Sequence, residues 1–345
     1  MARPSSIRIS PRTRLRSRFA ATITAFVVGA ALLSACSSSE DTTAPAAAAS
    51  SGSAFPVTIK HKFGSTAIPS KPKRVVTVGW DDQDFALALG VVPVSTREWF
   101  TQYPTYPWVK KELGGTKLPT FSAELNFEAI AKQRPDVILA INETVTKESY
   151  RKLSAIAPTV VQSSAYLDEK TPWNVQTLTT GQALGKSAEA QALVDKVESK
   201  IAAAKKAHPE FAGKVLAMDY GPDKGQHWIA PAHDPRRVLF DELGFATQTV
   251  KEDLSEERLD LIDKDVLVVV GATKPAMLAS PVFARLNVVT SDRTLYTSFD
   301  TPLAGALSYS GPNALLYALD VLVPQLANAV DGKTDTKVAD LSNQS

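Results

Sequence analysis

The 345-residue sequence contains a single cysteine, Cys36, and this scarcity excludes an intramolecular disulfide. The folded part must therefore be stabilised by an ordinary hydrophobic core. Acidic residues are absent before Cys36, whereas six arginines precede it: Arg3, Arg8, Arg12, Arg14, Arg16 and Arg18. Without these arginines, 32 basic residues face 36 acidic ones, which is a net charge of −4. The net charge of +2 for the whole chain therefore gives no support to nucleic-acid binding.

Near its start the sequence lacks an apolar run of the roughly 20 residues that a membrane-spanning helix needs. Residues 19–33 are apolar or small, and with the basic segment before them they are typical of a secretory signal peptide, which is predicted over 1–35. The segment Leu33-Ser34-Ala35-Cys36 resembles the lipobox of bacterial lipoproteins. This resemblance implies that Cys36 carries lipid and anchors the mature chain. A buried free cysteine or an unpaired disulfide partner is disfavoured by the position directly after the apolar run.

The rest of the chain is predicted to form a tether followed by two lobes. Residues 36–54 are almost entirely Ser, Ala, Thr, Pro and Gly, which cannot bury enough apolar surface to fold, so they predict a lipidated flexible tether. The roughly 290 residues that follow exceed one typical core. Their predicted organisation is an N-terminal α/β lobe (55–174), an interlobe helix region (175–210), a C-terminal α/β lobe (211–332) and a polar tail (333–345). Such lobes place a cleft between them.

Alternating β-branched runs and helical stretches predict two Rossmann-like α/β lobes with mostly parallel sheets. Strands are predicted at 74–78, 91–94, 135–140, 158–161, 214–218, 266–270 and 295–297. Helices are predicted at 82–89, 127–133, 150–156, 237–243, 281–286 and 312–330. One or two long amphipathic interlobe helices are predicted from apolar residues three or four positions apart: Leu184, Ala188, Ala192, Leu193, Val197 and Ile201.

Five segments in order carry a family resemblance: "PKRVVTVGWDDQDFALALGVVPVSTREW" (72–99), "LNFEAIAKQRPDVILA" (125–140), "LSAIAPTV" (153–160), "LSEERLDLIDKDVLVVV" (254–270) and "ALSYSGPNALLYALDVLVPQLA" (306–327). Behind a lipobox, these segments resemble the iron-siderophore substrate-binding lipoproteins of ABC importers, actinobacterial members in particular. The resemblance implies a type III periplasmic binding protein fold and capture of a ferric siderophore in the interlobe cleft. It further implies a monomer without enzymatic activity, anchored at the outer face of the cytoplasmic membrane, with an ABC permease and its ATPase as partners.

A ferric siderophore supplies its own iron ligands, so its binding site needs cationic donors and aromatic faces. In the N-terminal lobe the candidates are one arginine and four aromatic residues: Trp80, Arg97, Trp99, Tyr103 and Tyr106. Arg97 can form paired hydrogen bonds with a siderophore oxygen. The alternative is that the aromatics pack the lobe while Arg97 pairs with Glu98 or another neighbour.

In the C-terminal lobe, family analogy points to Tyr220, Trp228, Ser308 and Tyr309. The glycine-rich segment 219–228 either approaches a ligand closely or serves only as a turn. Two acids, Glu128 and Glu257, fall where the family motifs place permease-docking carboxylates. They also fit ordinary first-turn acids that complement the helix dipole.

Other functional classes have less support. The histidines His61, His208, His227 and His233 are scattered, which argues against a metal-ion binder, and His227 is expected at the surface. Haem or vitamin B12 is an alternative ligand, and Tyr220, His227 or Tyr309 could serve as a haem axial ligand. The segment 308–311 is not G-x-S-x-G, so a cell-envelope hydrolase has no motif behind it. A resident cofactor or metal is therefore not expected.

Overall fold

The computed structural model describes residues 55–251, 253–333 and 335–343. The predicted signal peptide, the lipidation site Cys36 and the tether lie outside the described residues, as do positions 334, 344 and 345 of the predicted tail. The predicted segment boundaries stay predictions.

The N-terminal lobe begins with an antiparallel hairpin and continues as a parallel sheet. Its strands are β1 (Val57–His61) and β2 (Gly64–Ile68) in the hairpin, then β3 (Val75–Thr77), β4 (Ser95–Arg97), β5 (Thr120–Phe121), β6 (Val137–Ala140) and β7 (Thr159–Val161). The parallel strands lie in the order β5-β4-β3-β6-β7. Its helices are α1 (Asp82–Ala88), α2 (Pro107–Leu113), α3 (Phe127–Lys132) and α4 (Lys147–Ser154). All four residues of β6 are fully buried, as a central strand covered by helices on both faces requires.

The strand predicted at 91–94 is wrong, because the chain forms β4 a few residues later. Pro93 has no backbone N–H to donate to a sheet. Ser95, Thr96 and Arg97 pair with neighbouring strands instead, and the Thr77 hydroxyl donates to Thr96 across the sheet at 2.7 Å. These buried polar side chains made the strand hard to recognise from hydrophobicity.

Two helices, α5 (Trp173–Leu184) and α6 (Ser187–Ala207), connect the lobes. They are separate because Gly185 adopts a left-handed conformation with φ 66°. The buried positions of α6 are Ala190, Val194, Val197 and Ile201. The predicted Ala188 and Ala192 are exposed, so the apolar stripe was assigned partly to the wrong face.

The C-terminal lobe has a mixed sheet. Its strands are β8 (Val215–Asp223), β9 (Gln226–Ile229), β10 (Ala246–Thr247), β11 (Leu254–Ser255), β12 (Val266–Val269) and β13 (Thr294–Tyr296), in the order β11-β9-β8-β12-β13 with β10 beside β8. Its helices are α7 (Val238–Leu243), α8 (Lys274–Leu278), α9 (Asn287–Thr290), α10 (Pro302–Tyr309) and α11 (Pro312–Val330). The helix predicted at 281–286 is only a short 3₁₀ turn, Phe283–Arg285. The predicted α/β class, with a long helix between lobes, is confirmed.

The glycine-rich segment after β8 is a hairpin turn. Lys224 and Gly225 both have positive φ, 52° and 79°, which suits a two-residue connection between antiparallel strands. The turn alone therefore explains the glycine at position 225, as in the second of the two alternatives given for this segment.

Helix α11 packs in the interior, although its length and composition alone would allow it to span a membrane. Its apolar residues Leu315, Leu319, Leu322 and Leu326 are buried in a core that also contains residues of α2 and α6. This core is shared by both lobes.

Candidate functional site

A cavity of about 560 Å³ lies between the lobes. Trp80 and Asp81 reach it after β3, Trp99 after β4, and Asn142 after β6. These strands are parallel neighbours, so the loops at their carboxyl ends meet at one edge of the sheet. The segment before and into α5, the segment before and into α7, and the end of α10 supply the other walls: Glu169, Lys170, Thr171, Pro172, Trp173, Gln176, His233, Asp234, Pro235, Arg236, Val238, Asp241, Ser308 and Ser310.

Three of the predicted ligand-binding residues line this cavity: Trp80, Trp99 and Ser308. The centroids of the Trp80 and Trp99 rings are 5.9 Å apart, with a tilt of 57°. Ser308 donates its hydroxyl to the carbonyl of Ala304 at 2.8 Å. The structure thus provides two flat aromatic faces on the N-terminal side of the cavity.

Arg97 is held inside the N-terminal lobe and does not line the cavity. Its guanidinium forms an ion pair with Glu143, donates to the carbonyl of Ala123, and lies 3.5 Å from the Trp80 ring centroid. Burial raises the pKa of Glu143 above its ordinary value, although the charge of Arg97 acts in the opposite direction. The neighbour that pairs with Arg97 is Glu143 rather than Glu98. The predicted contact between Arg97 and a ligand stays a prediction.

The cation at the C-terminal wall is Arg236, which the sequence did not single out. Its Nε and Nη2 donate to the two oxygens of Asp234 at 2.7 and 2.9 Å. Its guanidinium carbon lies 4.2 Å from the Trp228 ring centroid and 5.1 Å from that of Tyr220. The predicted residues Tyr220 and Trp228 do not line the cavity but contact Arg236, which does, and its planar group suits aromatic stacking.

Asp234 connects Arg236 to a second cation, Lys170, whose Nζ lies 3.1 Å from its Oδ2. Burial alone would raise the pKa of Asp234, but the hydrogen bonds and charge of Arg236 outweigh it and lower the pKa to about 2. The carboxylate therefore stays ionised, and it neutralises charge on this wall.

The inner part of the cavity carries polar atoms that have no hydrogen-bond partner within the described residues. They are Asp81 Oδ1, Asn142 Oδ1, Thr171 Oγ1 and Gln176 Oε1. Burial and the nearby Asp82 raise the pKa of Asp81 well above its ordinary value, against the effect of its hydrogen bond with Asn142. Buried polar atoms are nearly always hydrogen-bonded, so these atoms mark a surface suited to a polar ligand.

Tyr103, Tyr106 and Tyr309 are buried in an aromatic cluster rather than exposed in the cavity. The Tyr103 and Tyr309 ring centroids are 4.3 Å apart, and Gly305 gives the Tyr106 ring room, since a Cβ there would meet its Cζ at 2.3 Å. The positions of these tyrosines agree with the alternative given above, in which the aromatic residues pack the interior instead of facing a ligand. Since Tyr309 is also enclosed, it presents no group to a haem in the cavity.

The expected surface position of His227 is wrong. Its side chain is buried in β9, and its Nδ1 lies 2.8 Å from Asp219 Oδ2 on the adjacent β8. Residues 55–251, 253–333 and 335–343 bring together no group of three or more His, Cys, Asp or Glu side chains suited to a metal ion.

The two predicted docking acids are both exposed. Glu128 lies in the first turn of α3, after the cap residue Asn126, whose side chain accepts the Ala129 N–H at 2.9 Å. Glu257 lies in the first turn of a 3₁₀ helix, Glu256–Ile262. Both positions suit a docking role and a helix-start role equally, so the docking role stays a prediction.

Comparisons with known proteins agree on one family. A profile described as "Periplasmic binding protein" matches residues 75–293. The probable siderophore-binding lipoprotein YfiY of Bacillus subtilis is 38% identical over 108 residues, 31% of this chain and 33% of that protein. The chain thus spans about a third of that relative's length.

Two solved structures cover most of the chain. A periplasmic solute binding protein from Mycobacterium smegmatis has a TM-score of 0.73 and 32% identity, covering 79% of this chain and 98% of that chain. PiaA of Streptococcus pneumoniae in complex with ferrichrome has a TM-score of 0.67 and 28% identity, with coverage of 79% and 98%.

Proposed function

The chain belongs to the periplasmic binding protein family, and we propose that it captures a ferric siderophore in the interlobe cavity and delivers it to an ABC importer. The observation that carries this proposal is the cavity of about 560 Å³ with Trp80, Trp99 and Trp173 on its walls beside the Arg236–Asp234 pair. A chelated iron needs no metal ligand from the protein, but its organic arms need apolar faces and hydrogen-bonding groups.

The relatives support the same proposal. YfiY is named a siderophore-binding lipoprotein, and PiaA holds ferrichrome in its solved structure. Members of this family are substrate-binding components of transporters, so we propose binding and release without a chemical step. A lipid on Cys36 would hold the protein at the outer face of the cytoplasmic membrane, where Glu128 and Glu257 would contact the permease.

Tryptophan fluorescence tests the proposed ligand, because three tryptophans line the cavity and Trp228 packs on Arg236. The purified full chain is titrated with ferric hydroxamates, ferric catecholates, ferric carboxylates and haem. Saturable quenching by at least one ferric complex supports the proposal. A Soret band after incubation with haem, without quenching by any ferric complex, would replace siderophore with haem as the ligand.

A cavity-filling variant tests the proposed location. Ser308→Phe places a large ring into the space that Ser308 lines, and we expect it to weaken binding at least about tenfold. Ser291→Phe makes the same change at an exposed position after α9 and should leave binding unchanged. Equal affinity for both variants would place the ligand elsewhere.

A further inference from the structure

The charges that line the cavity leave no positive excess. The basic residues are Lys170 and Arg236, and the acidic ones are Asp81, Glu169, Asp234 and Asp241. Asp234 is bonded to both bases. This arrangement differs from a cationic cleft, in which unpaired arginines or lysines face an anionic ligand.

The other acidic residues also leave the cavity wall without the positive charge that would favour an anionic ligand. Asp241 pairs with Arg237, whose Nη2 donates to it at 2.9 Å, and Glu169 accepts a hydrogen bond from the Thr144 hydroxyl at 2.9 Å. Glu169 also lies close enough to influence Arg236 electrostatically. The cavity wall is therefore between neutral and mildly negative.

The polar atoms without a hydrogen-bond partner indicate which hydrogen-bonding groups a ligand should carry. Asp81, Thr171 and Gln176 are 3%, 2% and 4% exposed, and each presents an oxygen that lacks a partner among the described residues. The Gln176 amide nitrogen already donates to the carbonyl of Thr171 at 3.2 Å, so its Oε1 is fixed as the group available to a ligand. The Gln176 amide oxygen can only accept a hydrogen bond, whereas the Thr171 hydroxyl can accept or donate one, and the Asp81 carboxyl donates when it carries the proton that its raised pKa favours.

We propose that the cavity selects neutral or cationic ferric trihydroxamates whose arms carry amide or ammonium N–H donors, and that Thr171 and Gln176 receive those donors. This inference rests on the proposed function and narrows its substrate class. Iron(III) bound by three monoanionic hydroxamates is electrically neutral, whereas three dianionic catecholates make it a trianion. A trianion in this cavity would meet only the single net positive charge of the Lys170–Asp234–Arg236 group, which the nearby Glu169 carboxylate offsets.

A set of ferric complexes with different charges tests the selectivity. The full chain, purified in detergent, is titrated with ferrioxamine B, which carries an ammonium, with its neutral N-acetyl derivative, with neutral ferrichrome, and with trianionic ferric enterobactin. We expect at least one of the three trihydroxamates to bind ten times or more tighter than enterobactin. For neutral ligands the affinity should change less than about twofold between 0.05 and 0.5 M salt, since screening acts on charge pairs.

Variants on one helix test the acceptor surface. Gln176→Met keeps the side-chain length but removes the oxygen together with the amide nitrogen that donates to Thr171, and it should weaken trihydroxamate binding about fivefold. Gln182→Met makes the same change at an exposed position of α5 and should leave binding unchanged. Gln176→Glu keeps an acceptor oxygen, replaces the amide nitrogen that donates to Thr171 by a second oxygen, and adds negative charge, so it should increase the preference for ferrioxamine B over its N-acetyl derivative. Thermal unfolding of each variant separates loss of contact from loss of fold.

The possible outcomes distinguish the two proposals. Tighter binding of enterobactin than of every trihydroxamate would overturn the selectivity while leaving siderophore capture intact. Unchanged affinity in folded Gln176→Met would overturn the assigned acceptor surface. Failure of every ferric complex to bind would overturn the proposed function itself.

Discussion

The carboxylate of Asp84, in the first turn of α1, accepts a hydrogen bond from the backbone N–H of Gly311 at 3.1 Å, 227 positions further along the chain. Its other oxygen accepts the Tyr103 hydroxyl at 2.8 Å and the Trp108 indole N–H at 2.9 Å. One buried carboxylate thus ties the aromatic segment of the N-terminal lobe to the start of α11.

Replacing this carboxylate should destabilise the whole described fold. Asp84→Asn exchanges one acceptor oxygen for an NH₂ group that faces existing donors, so we expect a loss of about 1 to 3 kcal/mol in the free energy of unfolding. Asp223→Asn, at the exposed end of β8, should change it by less than about 0.5 kcal/mol. Urea unfolding of both variants measures the difference, and similar values would contradict a tie between the lobes.

The stability of the protein should fall as pH rises from about 4 to about 8. Burial raises the pKa of Asp84 to about 6, and burial together with the Asp84 charge raises the pKa of Glu112 to about 8. The folded state therefore binds more protons than the unfolded state in this range, and unfolding becomes easier as those protons are lost. Glu112→Gln should flatten the part of the decrease above about pH 6, as measured by urea unfolding at several pH values. A decrease of the same slope in this variant would exclude Glu112 as its source.

Arg97 should contribute strongly to stability. The side chains of Arg97 and Glu143 are only 9% and 13% exposed, so Arg97→Ala leaves a nearly buried acid without its ion-pair partner. We expect a loss of about 3 kcal/mol. In the double variant Arg97→Met with Glu143→Gln, part of this loss should be recovered, because no buried charge remains. A chemical unfolding curve for Arg97→Ala that matches the wild type would instead assign Arg97 to ligand binding alone.

Reversal of both docking acids tests the proposed permease contact. With Glu128→Lys and Glu257→Lys, like charges would meet at an interface built for opposite ones, which slows association. The purified double variant should bind ferric siderophore normally, while cells that carry it as their only copy should fail to import the complex. Import at the normal rate would make both glutamates ordinary helix-start acids, and lost ligand binding would assign them to the fold or the cavity.

Cys36→Ser tests the anchor. The serine hydroxyl cannot take the place of the thiol in lipid attachment, so the chain should appear in the medium or remain as an unprocessed precursor. Fractionation and mass spectrometry of the N-terminus distinguish these products. Normal processing with unchanged membrane retention would exclude Cys36 as the attachment site.

The sequence predicted the elements whose hydrophobic pattern is strong. Helix α11 has the predicted bounds, and α3 begins at the predicted residue 127. The strand Ser95–Arg97 was missed because its buried side chains are polar. Strand β9 was missed because only a two-residue turn separates it from β8, and the apolar residues nearby had been assigned to β8. Hydrophobicity alone does not report hydrogen bonds made across a sheet.

The cavity was only partly predictable. Trp80 and Trp99 follow recognisable strands, whereas Lys170 lies in a loop and Arg236 in a 3₁₀ helix of three residues, and the direction of both segments depends on the packing of both lobes. The signal for Arg236 was the segment Asp234-Pro235-Arg236, in which an aspartate before proline caps a short helix. The burial of Tyr103 and Tyr309 could not be read from their neighbours in sequence, because they contact each other across 206 positions.

The contacts of Asp84 and Tyr309 across the shared core resist separation of the two lobes. Under the proposed docking, an empty copy then presents nearly the same pair of glutamates to the permease as a loaded one. Empty copies would occupy the transporter without delivering cargo and would act as competitive inhibitors of uptake. The import rate would therefore follow the loaded fraction of the binding protein, and overproducing the protein when iron is scarce would slow transport instead of increasing it.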